Sequence, residues 1–120
     1  MRKVNIRQEL DALDEYWSQK VLGQANGSLI KVAKGVGEIH WHKHDDQDEV
    51  FIIYKGRLTL RMRSEEVELG EGEMFVVPRG VEHAPKAEED VEFMVLGVDV
   101  TSNREGGKPE WSYGSKVADE

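Results

Sequence analysis

The sequence contains no cysteine, which removes disulfides and thiolate metal ligands together. It also lacks any run of 18 or more apolar residues, so no helical membrane span is expected. Basic residues are outnumbered, 16 Lys and Arg against 24 Asp and Glu, for a formal net charge of −8. Nucleic acid and anionic membrane are both bound through basic patches, so neither is an expected partner. The opening Met1-Arg2-Lys3-Val4-Asn5 leads into a charged amphipathic segment and not the apolar core of a signal peptide, which makes the cytoplasm the expected location. No internal repeat is visible.

What is present fits one domain. A chain of 120 residues can bury roughly two-thirds of its unfolded surface. Asn5 is placed to cap a short helix, with Gln8 at the third helical position. Ile6, Leu10, Leu13 and Trp17 follow at helical spacing. Residues 18–27 are mixed, with turn character from Gly23, Asn26 and Gly27, and residues 28–34 read as a first strand ended by Gly35-Val36-Gly37. Glu49-Val50-Phe51-Ile52-Ile53-Tyr54 reads as a strand and Lys55-Gly56 as a tight turn. Leu58, Leu60 and Met62 alternate with Thr59, Arg61 and Arg63, a half-buried strand whose arginines face outward. Short strands at 67–69 and 74–77 follow, then a turn at Pro78-Arg79-Gly80, His83, an acidic patch Glu88-Glu89-Asp90, and a last strand over 91–100. The pattern predicts an all-β sandwich or barrel with one helix. It divides into a helix and lead-in at 1–27, a barrel at 28–100 and an extended or partly disordered tail at 101–120. Trp111 and Tyr113 in that tail are expected to dock on the barrel or a partner.

The chemistry concentrates in Trp41-His42-Lys43-His44-Asp45-Asp46-Gln47-Asp48-Glu49. In an extended strand His42 and His44 project to one face with Cα atoms about 7 Å apart, close enough for two imidazoles to converge on one ion. Residues 45–48 are turn material, their Asx side chains bonding their own backbone. A hairpin there returns Glu49 beside His44. His40 shares the same face, so a His40/His42 register is an alternative pair.

His42-Lys43-His44, four residues, Glu49, six residues and Gly56 resembles the first conserved motif of the cupins. Gly72, five residues, Pro78, one residue, Gly80, two residues and His83 resembles the second. The motifs and their spacer cover residues 37–87, and the likeness is strongest to small single-domain bacterial cupins often labelled mannose-6-phosphate isomerase-like. The resemblance implies a double-stranded β-helix, or jelly-roll, barrel in which His42, His44, Glu49 and His83 bind one divalent transition metal, Fe, Mn, Ni, Co, Cu or Zn. Ala87 stands where the family often carries asparagine. Phe51, Ile53, Leu60 and Met62, with His40, are the expected pocket walls, and Glu49 is the expected catalytic group as ligand and proton acceptor. The expected partner is a small polar molecule, sugar-derived or carboxylated, turned over by isomerase, lyase or dioxygenase chemistry or held without turnover. A homodimer is expected, paired through the apolar helix stripe and the tail aromatics.

Overall fold

The computed structural model describes residues 2–98; the tail expectations, Trp111 and Tyr113 among them, lie outside those residues. Asn5 caps helix α1 (Ile6–Asp11), its side chain accepting a 3.0 Å hydrogen bond from Gln8 N. The helix closes at Ala12, so the expected stripe is cut short after Leu10, which is buried. Trp17 lies beyond the helix with a φ of 66°. No helix among the described residues is long and apolar enough to cross a membrane.

Strands β1 (Lys20–Ala25) and β2 (Ser28–Glu38) form a hairpin about Asn26-Gly27. Both turn residues are left-handed, φ 53° and 80°, the backbone that a two-residue type I′ turn requires. Residues 18–27, expected as a mixed stretch of turn character, therefore hold strand β1, and β2 runs past Gly35 and Gly37 to Glu38. Five more strands follow, β3 (Glu49–Lys55), β4 (Leu58–Met62), β5 (Glu66–Leu69), β6 (Met74–Val77) and β7 (His83–Gly97). All pairings are antiparallel, in the order β1-β2-β7-β3-β6, with β4 joining β5 to β7.

β7 holds the arrangement together. Residues 83–86 pair with β4, and after a bulge residues 91–97 pair with β2 and β3. Between Gly35↔Val91 and Gly37↔Ala87, β7 runs through Glu88, Glu89 and Asp90 where β2 has only Val36. The acidic patch expected ahead of the last strand is thus an exposed bulge inside it, and it bends β7. The β3–β4 turn fits against this bend, since Gly56 has a φ of 91° and a Cβ there would stand 2.8 Å from Asp90 O.

Inward side chains alternate along each strand, as Phe51 and Ile53 on β3, Leu58 and Leu60 on β4, and Val91, Phe93 and Val95 on β7. Each such burial contributes about 1.5–3 kcal/mol. Glu49 and His83 occupy the ends of these same inward rows, so the period that builds the core also delivers two polar side chains into it.

Candidate metal centre

His42 and His44 do not lie in a long strand. Between β2 and β3 the chain is extended but unladdered, and only His42 makes a bridge, to His83. That bridge exchanges both backbone bonds, His42 N to His83 O at 3.0 Å and His83 N to His42 O at 2.9 Å. The turn at residues 78–80 is stitched to the histidine segment by Gly80 N donating to His44 O at 2.8 Å and Arg79 N to Asp48 Oδ1 at 2.9 Å. The Arg79 amide and guanidinium hold the Asp48 carboxyl below its usual range. The two sequence motifs are therefore one hydrogen-bonded unit.

Within it the side chains of His42, His44, Glu49 and His83 converge, each offering one donor atom and all four atoms lying within 4.8 Å of one another. Donors about 2.1 Å from a shared ion stand about 3.0 Å apart when adjacent and about 4.2 Å when opposite. Glu49 Oε1 is 3.2 Å from His83 Nε2 and 3.6 Å from His44 Nε2. Asp45 is paired with Lys43 at 3.4 Å, and the acids of the 45–48 turn are no part of the cluster.

The hydrogen bonds around the rings fit a cation. His42 Nδ1 lies 2.9 Å from His40 O and His83 Nδ1 2.9 Å from Val81 O. A ring that donates from Nδ1 to a carbonyl carries its lone pair on Nε2 when neutral. For His83 that lone pair faces the Glu49 carboxylate, an arrangement that needs a proton or a cation between the two. His44 Nε2 is buried and makes no hydrogen bond, a state that costs about 1–3 kcal/mol unless something binds it. Three neutral imidazoles and one carboxylate would leave a dication with net charge near +1, a ligand set that suits imidazole-binding first-row metals.

Burial pushes the His42 imidazole down to about 4; its neighbours His83 and His44 push the same way, while the His40 carbonyl and Glu49 oppose. In the metal-free protein His42 is therefore neutral at pH 7, and between the ordinary value of 6.5 and about 4 the unfolded chain binds the extra proton. Stability from this residue is complete above pH 6.5 and is lost as pH falls towards 4. In chelator, the urea midpoint should drop between pH 7 and 4.5, and His42→Gln should flatten that slope. An unchanged slope in the variant would remove His42 from the account.

A small cavity of about 20 Å³ adjoins His42 and Glu49, walled by Trp17, Ile39, Phe51, Pro85 and Phe93, with Gln19 at its edge. Of the expected pocket walls only Phe51 lines it. Ile53 and Leu60 are buried in the core, and Met62 sits across from His83 on β4. His40 is exposed, its ring centroid stands 6.4 Å from that of His42, and it is not among the four clustered donors. The His40/His42 register is thereby set aside.

Other expectations change too. Arg61, expected on the outer face, is only partly exposed there, its guanidinium bonded to Ala84 O at 2.9 Å and paired with Glu38 at 3.2 Å. Arg61 and Arg63 both stack on Trp41, at 5.6 and 3.8 Å from its centroid. Sequence reasoning missed Gln47, which is buried with Oε1 accepting from Val98 N at 2.9 Å, so the metal turn is tied to the end of β7. It also missed Trp17 and Pro85 as walls, for which spacing carried no signal.

Comparison with known proteins agrees with this geometry. A cupin-2 domain protein from Shewanella frigidimarina is 38% identical, with a TM-score of 0.75 over 78% of this chain and 91% of its own. A protein from Neisseria meningitidis is 28% identical, with a TM-score of 0.73 over 80% of this chain and 98% of its own. YdbB of Bacillus subtilis, an uncharacterized protein, is 28% identical over 67 residues, 55% of this chain and 59% of its own length, so the match spans about three-fifths of that relative. The profile of the cupin domain family Cupin_2 matches residues 28–99, and with the antiparallel fold and the buried His/Glu quartet already in place, the chain belongs to that family.

Proposed function

We propose that this chain is a metal-dependent cupin that acts on a small polar molecule, sugar-derived or carboxylated, at a single divalent transition ion. His42, His44, Glu49 and His83 would hold the ion. The buried His44 Nε2 carries this reading, since it has no hydrogen-bond partner and stands 3.6 Å from a buried carboxylate. The ion would supply Lewis acidity towards an oxygen of the bound molecule or, if it is iron or nickel, chemistry with dioxygen, the isomerase, lyase and dioxygenase classes. The chain's own part is to orient His42 and His83 through the His40 and Val81 carbonyls, and to exclude water with Trp17, Phe51 and Phe93. Glu49 is the one carboxylate among the cavity walls and the proton acceptor of this scheme. Arg79 is tied to Asp48 at the surface, 3.4 Å from Nε to Oδ1.

One observation favours a second reading, a metallo-cupin that binds without turnover. Apart from His42 and Glu49, no titratable side chain lines the described cavity, so a second acid or base is not at hand. The two readings separate when the metal-loaded protein is incubated with a panel of hydroxy acids, keto acids and sugar acids, followed by mass spectrometry. Turnover should appear in the wild type and vanish in His83→Ala. A compound that binds but is returned unchanged would leave only the binding reading.

A further inference from the structure

The cavity beside His42 and Glu49 is too small for the molecule proposed to enter it. Its volume of about 20 Å³ holds one water, whereas sites for small organic ligands span roughly 300–1,000 Å³. Some wall must move, and the walls differ in how they are held. Glu49, Phe51, Pro85 and Phe93 belong to strands β3 and β7. Ile39 and His42 donate their amides to Pro85 O and His83 O at 3.1 and 3.0 Å. Trp17 and Gln19 come instead from residues 13–19, which run from α1 to β1 outside any helix or strand. The Trp17 ring is drawn in by two hydrogen bonds to β2, from its amide to Lys34 O at 2.6 Å and from Nε1 to Val36 O at 3.0 Å. To reach them the backbone of Trp17 turns left-handed, φ 66°, a strained conformation for so bulky a residue. Next to it Tyr16 is latched at the surface. Its hydroxyl donates to Asp90 Oδ2 at 2.8 Å on the β7 bulge, and Lys34 Nζ stands 5.0 Å from its ring centroid.

Resting on the polar-ligand reading above, we infer that residues 13–19 are a strap that lifts to admit the ligand, and that the Trp17 ring fills the ligand's place while the strap is shut. Lifting releases the left-handed strain at Trp17 and opens the side of the cavity that faces His42 and Glu49. The Tyr16–Asp90 bond is exposed, so water replaces it at little cost when the strap leaves. What holds the strap shut is the burial of the indole, 7% exposed and 6.0 Å from the Phe93 ring. A ligand that occupies the vacated space replaces that packing and keeps the strap from returning. Its apparent affinity is then lowered by the small fraction of chains that are open before it arrives. Shut, the same ring keeps bulk water from the ligand set.

Hydrogen exchange of the full chain tests the strap without reference to metal. The Trp17 amide and indole Nε1–H should exchange through a local opening, at least about 100-fold faster than the Phe93 and Val95 amides of β7 and with little dependence on urea. Tyr16→Phe should quicken that exchange about 5-fold, the effect of one lost hydrogen bond. Trp17 exchanging in step with Phe93 and Val95 across urea would mean that it moves only with the whole fold, and would overturn the inference. An unchanged rate in Tyr16→Phe would do the same, because the latch would then not be part of what moves. Ligand entry is read from fluorescence. With Trp41→Phe and Trp111→Phe, Trp17 is the one tryptophan left. Gluconate added to this zinc-loaded protein should give a heat of binding together with a red shift, as the indole meets water. Heat without a red shift would place the ligand elsewhere and overturn the strap's role. No heat, beside a strap that opens by exchange, would sink the polar-ligand reading while the exchange upholds the strap.

Discussion

The wild-type chain should purify with about one transition-metal ion and the His83→Ala variant with none. His83 is the residue on which the two halves of the site depend. It is fully buried, its ring is fixed by the Val81 carbonyl, and its Nε2 stands 3.2 Å from Glu49. Removing the imidazole leaves His42, His44 and Glu49 as an open three-ligand set and leaves the Glu49 carboxylate buried against an empty space. Loss of an outer-shell partner alone costs about 10–100-fold in metal affinity, so loss of a ligand should cost more than about 100-fold. His40→Ala is the matched control, because that ring is exposed and outside the cluster, and it should keep the ion. Elemental analysis per chain decides the matter. A wild type that takes up no metal after reconstitution would end the quartet as a binding site, and the His44 nitrogen would then need another partner.

The fate of the separate expectations has physical causes. Three members of the quartet, His42, His44 and Glu49, are readable because their spacing is short-range. His42 and His44 share a face by the period of extended chain, and Glu49 follows a turn of three aspartates and a glutamine. His83 is 34 residues from Glu49 in sequence, and it is marked only by the resemblance of Gly72, Pro78, Gly80 and His83 to the second cupin motif. β1 was hidden because Gly23 and Gln24 interrupt its apolar alternation, although the Asn26-Gly27 dipeptide was a usable hairpin signal. Arg61 alternates with the core residues and so reads as facing outward. Its neighbour Trp41 comes from a different part of the chain, and pairing across that distance leaves no mark on local periodicity. Trp17 is four residues past Leu13, which imitates a helix, yet its backbone turns left-handed and the ring goes into the core.

That ring makes the second large effect. Trp17→Ala should destabilise the protein by about 3–5 kcal/mol, the cost of emptying a large aromatic site in a packed core. The indole packs over Gly35, where a Cβ would meet its ring carbons at 2.6–2.8 Å. It also lies 6.0 Å from the Phe93 ring and donates from Nε1 to Val36 O at 3.0 Å. Gly35→Ala should therefore cost about 1–3 kcal/mol by overpacking, since neither ring nor strand has room to yield. In the Trp17→Ala background the same methyl meets space, and alanine in place of glycine stiffens an extended strand. Gly35→Ala should there be neutral or stabilising by about 0.5–1 kcal/mol. The cycle would give a coupling of about 2–3 kcal/mol, at the upper end for residues in direct contact. Urea unfolding of the four proteins measures it, and equal costs for Gly35→Ala in both backgrounds would mean that Trp17 does not sit where the geometry puts it. Because Trp17 also walls the cavity beside His42 and Glu49, Trp17→Ala should enlarge that space while leaving all four metal donors in place, so metal content is expected to survive a change that costs much of the stability.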